Sequence, residues 1–256
     1  MIDVEKVKLN IELFDNVLPE GVLRNSFIVL SGKGGAGKSL LLICIAKIFL
    51  DNGEPVFYLA LDDDPITIIK QFHLLDVNIS EYVKKGLFYI IDGYSFRIRG
   101  KKEKMHLSVI EEVDPQNMNQ VLNACIKVLD EQNIANRGMF IIDSLNEFLS
   151  FYDINKAIEF IKNFRANISK ARNIIVMSIL HTSSKIAEDF LSLIEHIIDG
   201  IILTETVVQT HPSNIVYTPL RQLLVKKMKG VPHSTNWTLY TIEKGNIKIK
   251  PVAIKT

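Results

Sequence analysis

Cysteine is scarce in this chain: there are two, Cys44 and Cys125. Each falls in an apolar helical run, and their spacing excludes a paired-cysteine metal site. Free buried thiols suit a reducing cytoplasm, which is the expected location. No apolar run reaches the roughly 18 residues that a membrane-spanning helix needs, so no span is expected. The opening Met1-Ile-Asp-Val-Glu-Lys6 has no apolar segment of the kind a secretory leader carries. Net charge is also nearly absent: 30 Lys and Arg against 29 Asp and Glu leave +1. No global field therefore argues for nucleic acid or a membrane surface. There is no internal repeat and no low-complexity linker. Lysine far exceeds arginine and isoleucine is abundant, a mixture found in hyperthermophiles and in AT-rich genomes alike.

What is there is a regular alternation. The 256 residues suffice for one large domain, taken as 1–256, with a sizeable core. Strand-like apolar runs lie at Phe27–Leu30, Pro55–Leu61, Leu87–Asp92, Met139–Asp143, Asn173–Ile179 and Ile197–Leu203. Helical patterns fill most gaps, at Leu40–Leu50, Ile66–Phe72, Pro115–Leu129, Ile154–Ile168 and Lys185–Ile194. This order implies an α/β fold, a mostly parallel twisted sheet with helices on both faces. Beyond Leu203 the pattern turns to apolar–polar alternation over Ile215–Lys229 and Trp237–Lys250, which reads as antiparallel strands. Glu243-Lys-Gly-Asn246 reads as the hairpin turn. Tyr94–Asp114, with the basic run Arg97–Lys104, reads as a long exposed loop.

The run Gly32-Lys33-Gly34-Gly35-Ala36-Gly37-Lys38-Ser39 fits G-x-x-x-x-G-K-S. It follows an apolar strand and opens a helical run at Leu40, the context in which the motif carries chemistry. Glycines let backbone N–H groups turn inward to cradle phosphates, and the helix N-terminus adds partial positive charge. Lys38 would reach the β- and γ-phosphates, and Ser39 would hold Mg²⁺. The bland alternative, a glycine-rich turn, leaves the Lys-Ser pair unexplained. The same residues also fit K-G-G-x-G-K-S, the deviant motif of partitioning and arsenite-pump ATPases, in which Lys33 would reach into a partner's site.

Two acidic features complete the picture. Met139–Asp143 is an apolar strand ending in a carboxylate, where Mg²⁺ or its water would be held. The plainer reading is a turn or cap before the next helix. Asp62-Asp63-Asp64 follows the strand Pro55–Leu61. Asp64 is expected to cap the helix that Pro65 opens. Asp62 or Asp63 is left to orient or deprotonate an attacking water. The competing reading for the whole cluster is an acidic helix start favoured by the helix dipole.

These stretches together resemble the KaiC-like branch of the RecA-superfamily ATPases, with a single KaiC domain of archaeal type. Asn10–Ser26 is similar to that branch's lead-in, and Asn52–Asp63 is similar to its G-E-x-x-x-Y-V-x-x-E-E stretch. Gly86–Tyr94 and Asp143–Glu147 also match. Arg221-Gln-Leu-Leu-Val-Lys-Lys227-Met-Lys229-Gly-Val-Pro-His233 resembles R-x-L-x-V-x-K-x-R-G-x-x-H. The resemblance implies a RecA-like P-loop fold, ATP and Mg²⁺ as ligands, and the catalytic carboxylate at Asp62 or Asp63. It also implies a homo-oligomer, a hexameric ring among the options, in which Lys227, Lys229 and His233 reach a neighbour's phosphates. Lys33 then becomes a variable position, because partitioning ATPases lack both the lead-in and the Lys227–His233 strand.

The chain departs from that pattern in ways that matter. Aspartates stand where paired glutamates are usual, which withdraws the carboxylate by roughly 1–1.5 Å, one bond of chain length. Misplacement on that scale can cost on the order of 10²-fold in rate, so slow hydrolysis with intact ATP binding is expected. Lys229 replaces an arginine, keeping charge but losing the two-pronged donor. By the same resemblance, Glu195-His196 falls where circadian-clock members of the family carry a phosphorylated Ser-Thr pair, so self-phosphorylation is not expected. His181, at a strand end, reads either as a γ-phosphate sensor or as a structural hydrogen-bonder. Three readings of function follow: a slow ATPase acting as a switch or scaffold, a DNA-binding RadA paralogue, and an archaellum-type assembly ATPase. A deviant-motif partitioning ATPase is the remaining alternative. For nucleic acid, the basic run Arg97–Lys104 offers backbone contacts with Tyr94 and Phe96 for stacking, against its reading as a solvated loop. The loop Thr182–Lys185 lacks the glycines and aromatics of a recombinase DNA loop.

Overall fold

The computed structural model describes residues 5–99, 106–211, 214–243 and 246–249. Two short strands, β1 (Lys6–Val7) and β2 (Val22–Leu23), pair antiparallel around α1 (Glu12–Val17). The chain then runs β3 (Phe27–Gly32), α2 (Lys38–Asp51), β4 (Val56–Ala60), α3 (Pro65–Leu74), α4 (Ile79–Lys84) and β5 (Phe88–Asp92). It continues through β6 (Val109–Glu112), α5 (Met118–Glu131), β7 (Met139–Asp143), α6 (Asn146–Phe151), α7 (Ile154–Phe164), β8 (Ile175–His181) and α8 (Lys185–Ile194). Four strands follow: β9 (Gly200–His211), β10 (Asn214–Met228), β11 (Thr238–Glu243) and β12 (Asn246–Ile249).

Ten strands form one sheet in the order β12-β11-β10-β9-β3-β8-β7-β4-β5-β6. From β9 to β6 every pairing is parallel, and from β9 to β12 every pairing is antiparallel. The architecture expected from the sequence is therefore present. Strands β3, β4, β7 and β8 are buried on both faces, which explains why they read as unbroken apolar runs. Strand alternation divides their side chains between two cores. Ile28, Leu30, Tyr58, Ile141 and Met177 pack with α2. Phe27, Val29, Phe57, Phe140 and Val176 pack with α5, α7 and α8. On α7 the buried Ala157, Phe160, Ile161 and Phe164 keep the i, i+3, i+4, i+7 spacing of one helix face. The Phe164 ring meets Phe140 edge-on at 5.2 Å.

Several boundaries differ from the sequence reading. Tyr94–Asp114 is not a long loop throughout. A 3₁₀ turn covers Ser95–Arg97, and β6 pairs with β5 at the sheet edge. An edge strand has one neighbour, and Val109-Ile-Glu-Glu112 carries too little apolar pattern to announce itself. Residues 100–105, which hold most of the basic run, lie outside the described residues. Helix α5 starts at Met118 rather than Pro115, because the Asn117 side chain accepts the Gln120 amide at 3.1 Å. The α-helix begun at Ile154 gives way after Phe164 to a π turn over Arg165–Lys170. Strand β9 begins at Gly200, since Ile197 and Ile198 close the turn leaving α8. The Trp237–Lys250 segment is two strands, β11 and β12, closing at Glu243 opposite Asn246; Lys244 and Gly245 of the expected turn lie outside the described residues.

Candidate functional site

Parallel register carries the C-terminal ends of four strands to one edge. Gly32 of β3 lies opposite His181 of β8, and Ala60 of β4 lies opposite Asp143 of β7. The loops leaving these strands therefore meet in one crevice, where ligands bind in open α/β sheets. Beside the glycine loop is a cavity of about 940 Å³, lined by Ser31–Ala36, Thr182, Leu203–Thr206 and the α8 residues Glu188, Leu191 and Ser192.

The loop from Gly32 to Ser39 takes the form the motif predicts. Gly35 and Gly37 hold φ of 80° and 81°, a left-handed conformation that side chains disfavour, and Gly37 is the N-cap of α2. Lys33, Gly34 and Gly35 are exposed, Ala36 is buried, and Ser39 and Leu40 start the helix half-buried. The loop is pinned from the side: the Gly34 amide donates to Ser183 Oγ at 3.2 Å, and Thr204 Oγ1 donates to the Ser31 carbonyl at 3.3 Å. Lys38 is 3% exposed and folds back over the loop. Its Nζ donates to the carbonyls of Gly32 (2.7 Å) and Lys33 (2.8 Å). Burial pulls the Lys38 ammonium down to about 8, against the opposing attraction of Asp143 and Asp62.

Asp143 and Asp62 form the acidic side of the site. Tyr58 Oη donates to Asp143 Oδ2 at 2.5 Å. Burial pushes the Asp143 carboxyl up to about 6, and the neighbouring Asp62 charge adds to the rise while Tyr58 opposes it. The Asp143–Ser144 peptide is cis. Ser144 Oγ donates to Asp62 Oδ2 at 2.7 Å, and His181 Nε2 lies 3.6 Å from the same oxygen. Burial raises the Asp62 carboxyl, but bonds from His181 and Ser144 outweigh it and hold the group below its ordinary range. Asn146 clamps the end of β8 by accepting the His181 amide (2.7 Å) and donating to the His181 carbonyl (2.9 Å).

The structure thus brings Lys38, Asp143 and Asp62 together and leaves Asp63 outside, where it accepts from Gln71 at 3.2 Å on the surface. Asp64 caps α3 as expected, accepting the amides of Ile66 (2.9 Å) and Thr67 (3.0 Å). Lys227, Lys229 and His233 are elsewhere. Lys227 donates to the carbonyls of Glu195 and Ile198, and Lys229 Nζ lies 3.5 Å from the His196 carbonyl. The Lys229 amide bonds to Asp199, whose own amide bonds to Phe27 at the start of β3. Five residue steps along β3 lead from Phe27 to Gly32, roughly 17 Å at strand rise. The two lysines therefore lie at the opposite edge of the sheet from their own chain's glycine loop. Burial, then the charge of Lys229, pulls the Lys227 ammonium below its usual value.

Arg221 behaves differently from the lysines with which it was grouped. It packs on its own chain's loop, where a Cβ at Gly37 would fall 2.5 Å from Arg221 Nε. Tyr58, Ser144, Asn146 and Arg221 are the site residues that reading by motif missed. All four stand inside stretches named above, but nothing in one dimension showed what they touch.

Comparison with known proteins gives the family. A family model described as "ATPase: KaiC" matches residues 7–253. A UPF0273 protein of Aeropyrum pernix is 23% identical over 250 residues, covering 97% of this chain and 94% of that protein. A UPF0273 protein of Thermotoga maritima is 24% identical over 250 residues, covering 97% of each. The crystal structure of a KaiC-like protein from the hyperthermophilic archaeon Pyrococcus horikoshii superposes with a TM-score of 0.71 at 19% identity, covering 97% of this chain and 100% of that one, a likeness of fold. Among the described residues no helix is long and apolar enough to cross a membrane. With the family model spanning nearly its whole length, the chain belongs to the KaiC family of ATPases.

Proposed function

We propose that this protein binds ATP with Mg²⁺, hydrolyses it slowly, and works as a nucleotide-dependent switch or scaffold. The observation that carries the reading is the meeting of the Lys38 ammonium, folded over the glycine loop, with the Asp143 and Asp62 carboxylates at the ends of adjacent strands. Loop amides and Lys38 would hold the phosphates. Ser39 and Asp143 would each offer an oxygen donor to a hard cation, and Mg²⁺ held by them would offset phosphate charge. Asp62 would orient the attacking water and accept its proton, with Ser144 and His181 fixing the carboxylate. The Asp side chain stops short of where a Glu would reach, which supports slow turnover.

Lys227 and Lys229 support an oligomeric reading. Lying at the far edge of the sheet, they can serve a phosphate only on another copy. On this reading the assembly forms through these lysines and depends on nucleotide. Fluorescent ATP-analogue binding with Mg²⁺ should weaken by about 100-fold in Lys38→Ala with unchanged circular dichroism, the scale on which losing one partner of a buried charge pair lowers affinity. Light scattering should show assembly of the parent protein in Mg-ATP. Retained binding in Lys38→Ala, or a strict monomer at saturating Mg-ATP, would overturn the corresponding half of the proposal.

A further inference from the structure

We propose that Asp62, Asp143 and His181 form a site for a transition-metal dication, of the class of Mn²⁺, Co²⁺ or Zn²⁺, that fills in the absence of nucleotide. One donor atom from each residue lies within 4.8 Å of the others. Donors around a metal with bonds of about 2.0–2.2 Å sit roughly 3–4 Å apart, so small side-chain rotations close the set. Asp62 and His181 are each about one-third exposed and free to make them. The backbone beneath does not need to move, because Asp143 and His181 end the adjacent strands β7 and β8, and the Asp62 amide, two residues past β4, donates to the Asp143 carbonyl at 3.1 Å.

Each ligand is also held by a residue outside the set. Ser144 donates to Asp62, Tyr58 donates to Asp143, and Asn146 grips the His181 backbone from both sides. Supporting bonds of this kind orient ligands in metal sites and tune their affinity.

The donor set decides which dication. Mg²⁺ prefers near-octahedral oxygen ligands and keeps its waters, whereas an imidazole nitrogen suits the later first-row metals. The inference shares Asp62 and Asp143 with the proposed ATPase site, and its consequence rests on that reading. An ion held there occupies the carboxylate assigned to the attacking water, so it would restrain hydrolysis until displaced. The binding itself requires no nucleotide. The competing arrangement is a direct Asp62–His181 ion pair with no ion between them.

The test is titration of nucleotide-free protein with Co²⁺, followed by its visible absorption. One equivalent should give a band that Zn²⁺ abolishes and that equimolar Mg²⁺ leaves intact. His181→Ala and Asp62→Asn should each weaken Co²⁺ binding at least about tenfold. Lys38→Ala should lose ATP-analogue binding yet keep the cobalt band, which separates failure of this inference from failure of the ATPase reading. If His181→Ala does not fold by circular dichroism, His181→Gln takes its place with the same expected loss. No band, a band untouched by these ligand substitutions, or displacement by equimolar Mg²⁺ would each overturn the proposal.

Discussion

Two neighbouring aspartates with the same chemistry have different surroundings. Asp62 bonds Ser144 and approaches His181, while Asp63 meets only a surface glutamine among its described side-chain partners. Asp62→Glu should therefore raise the ATP hydrolysis rate, toward the 10²-fold that a misplacement of one bond can cost. Asp63→Glu should leave it within twofold. Equal effects of the two changes in a steady-state phosphate-release assay would refute the assignment of Asp62. Lys38 makes a second residue-scale expectation. Its ammonium titrates near 8 rather than 10.5, and bound phosphate needs it charged. Above about 8 the free protein must take up a proton to bind, so ATP-analogue affinity should fall as pH rises through that value. The same group shapes stability. The unfolded chain holds this proton more tightly, so Lys38 contributes a folding penalty below about 8 that disappears as pH rises toward 10.5. Affinity that stays flat from pH 7 to pH 9.5 would show that Lys38 does not meet the phosphates.

At the scale of elements, a buried ion cluster ties the sheet to the helices at the edge away from the crevice. Asp199, 3% exposed, accepts from Arg165 through both carboxylate oxygens, from the Phe27 amide at 3.0 Å, and pairs with Lys170 at 3.1 Å. It thus joins the π turn after α7 to the starts of β3 and β9. Asp199→Asn removes the charge and strands two cations that are only partly solvated. Breaking such a pair costs about 3 kcal/mol, which urea unfolding should register as a lower midpoint at unchanged slope. A change under about 0.5 kcal/mol would mean that solvent already compensates Arg165 and Lys170. Element type was largely legible here. The buried central strands read as apolar runs, and Asp64-Pro65 announced the start of α3. Short elements were not legible. Six-residue α4 and α6 and four-residue β6 carry too few apolar positions to set a period, and tertiary neighbours supply what local propensity does not.

At the scale of the whole molecule, the proposed oligomeric reading has Lys227 and Lys229 acting between copies. A Lys38→Ala chain and a Lys227→Ala, Lys229→Ala chain should each be inactive alone. Mixed, they should regain ATPase activity, because some interfaces would join an intact loop to intact lysines. Absence of rescue in mixtures that light scattering shows to be co-assembled would remove the trans role.

The sequence by itself determined the class of fold and the local form of the glycine loop. A glycine loop between strand and helix is a local feature, since backbone turning, helix start and lysine reach all lie within eight residues. The choice between Asp62 and Asp63, the Tyr58 bond to Asp143, the seat of Arg221 on Gly37 and the approach of His181 to Asp62 depended on tertiary structure. Each joins residues distant in the chain through parallel register, and register is fixed by which strands share two buried faces. That long-range pairing also set Lys227 and Lys229 at the far edge of the sheet, where spacing along the chain could not place them.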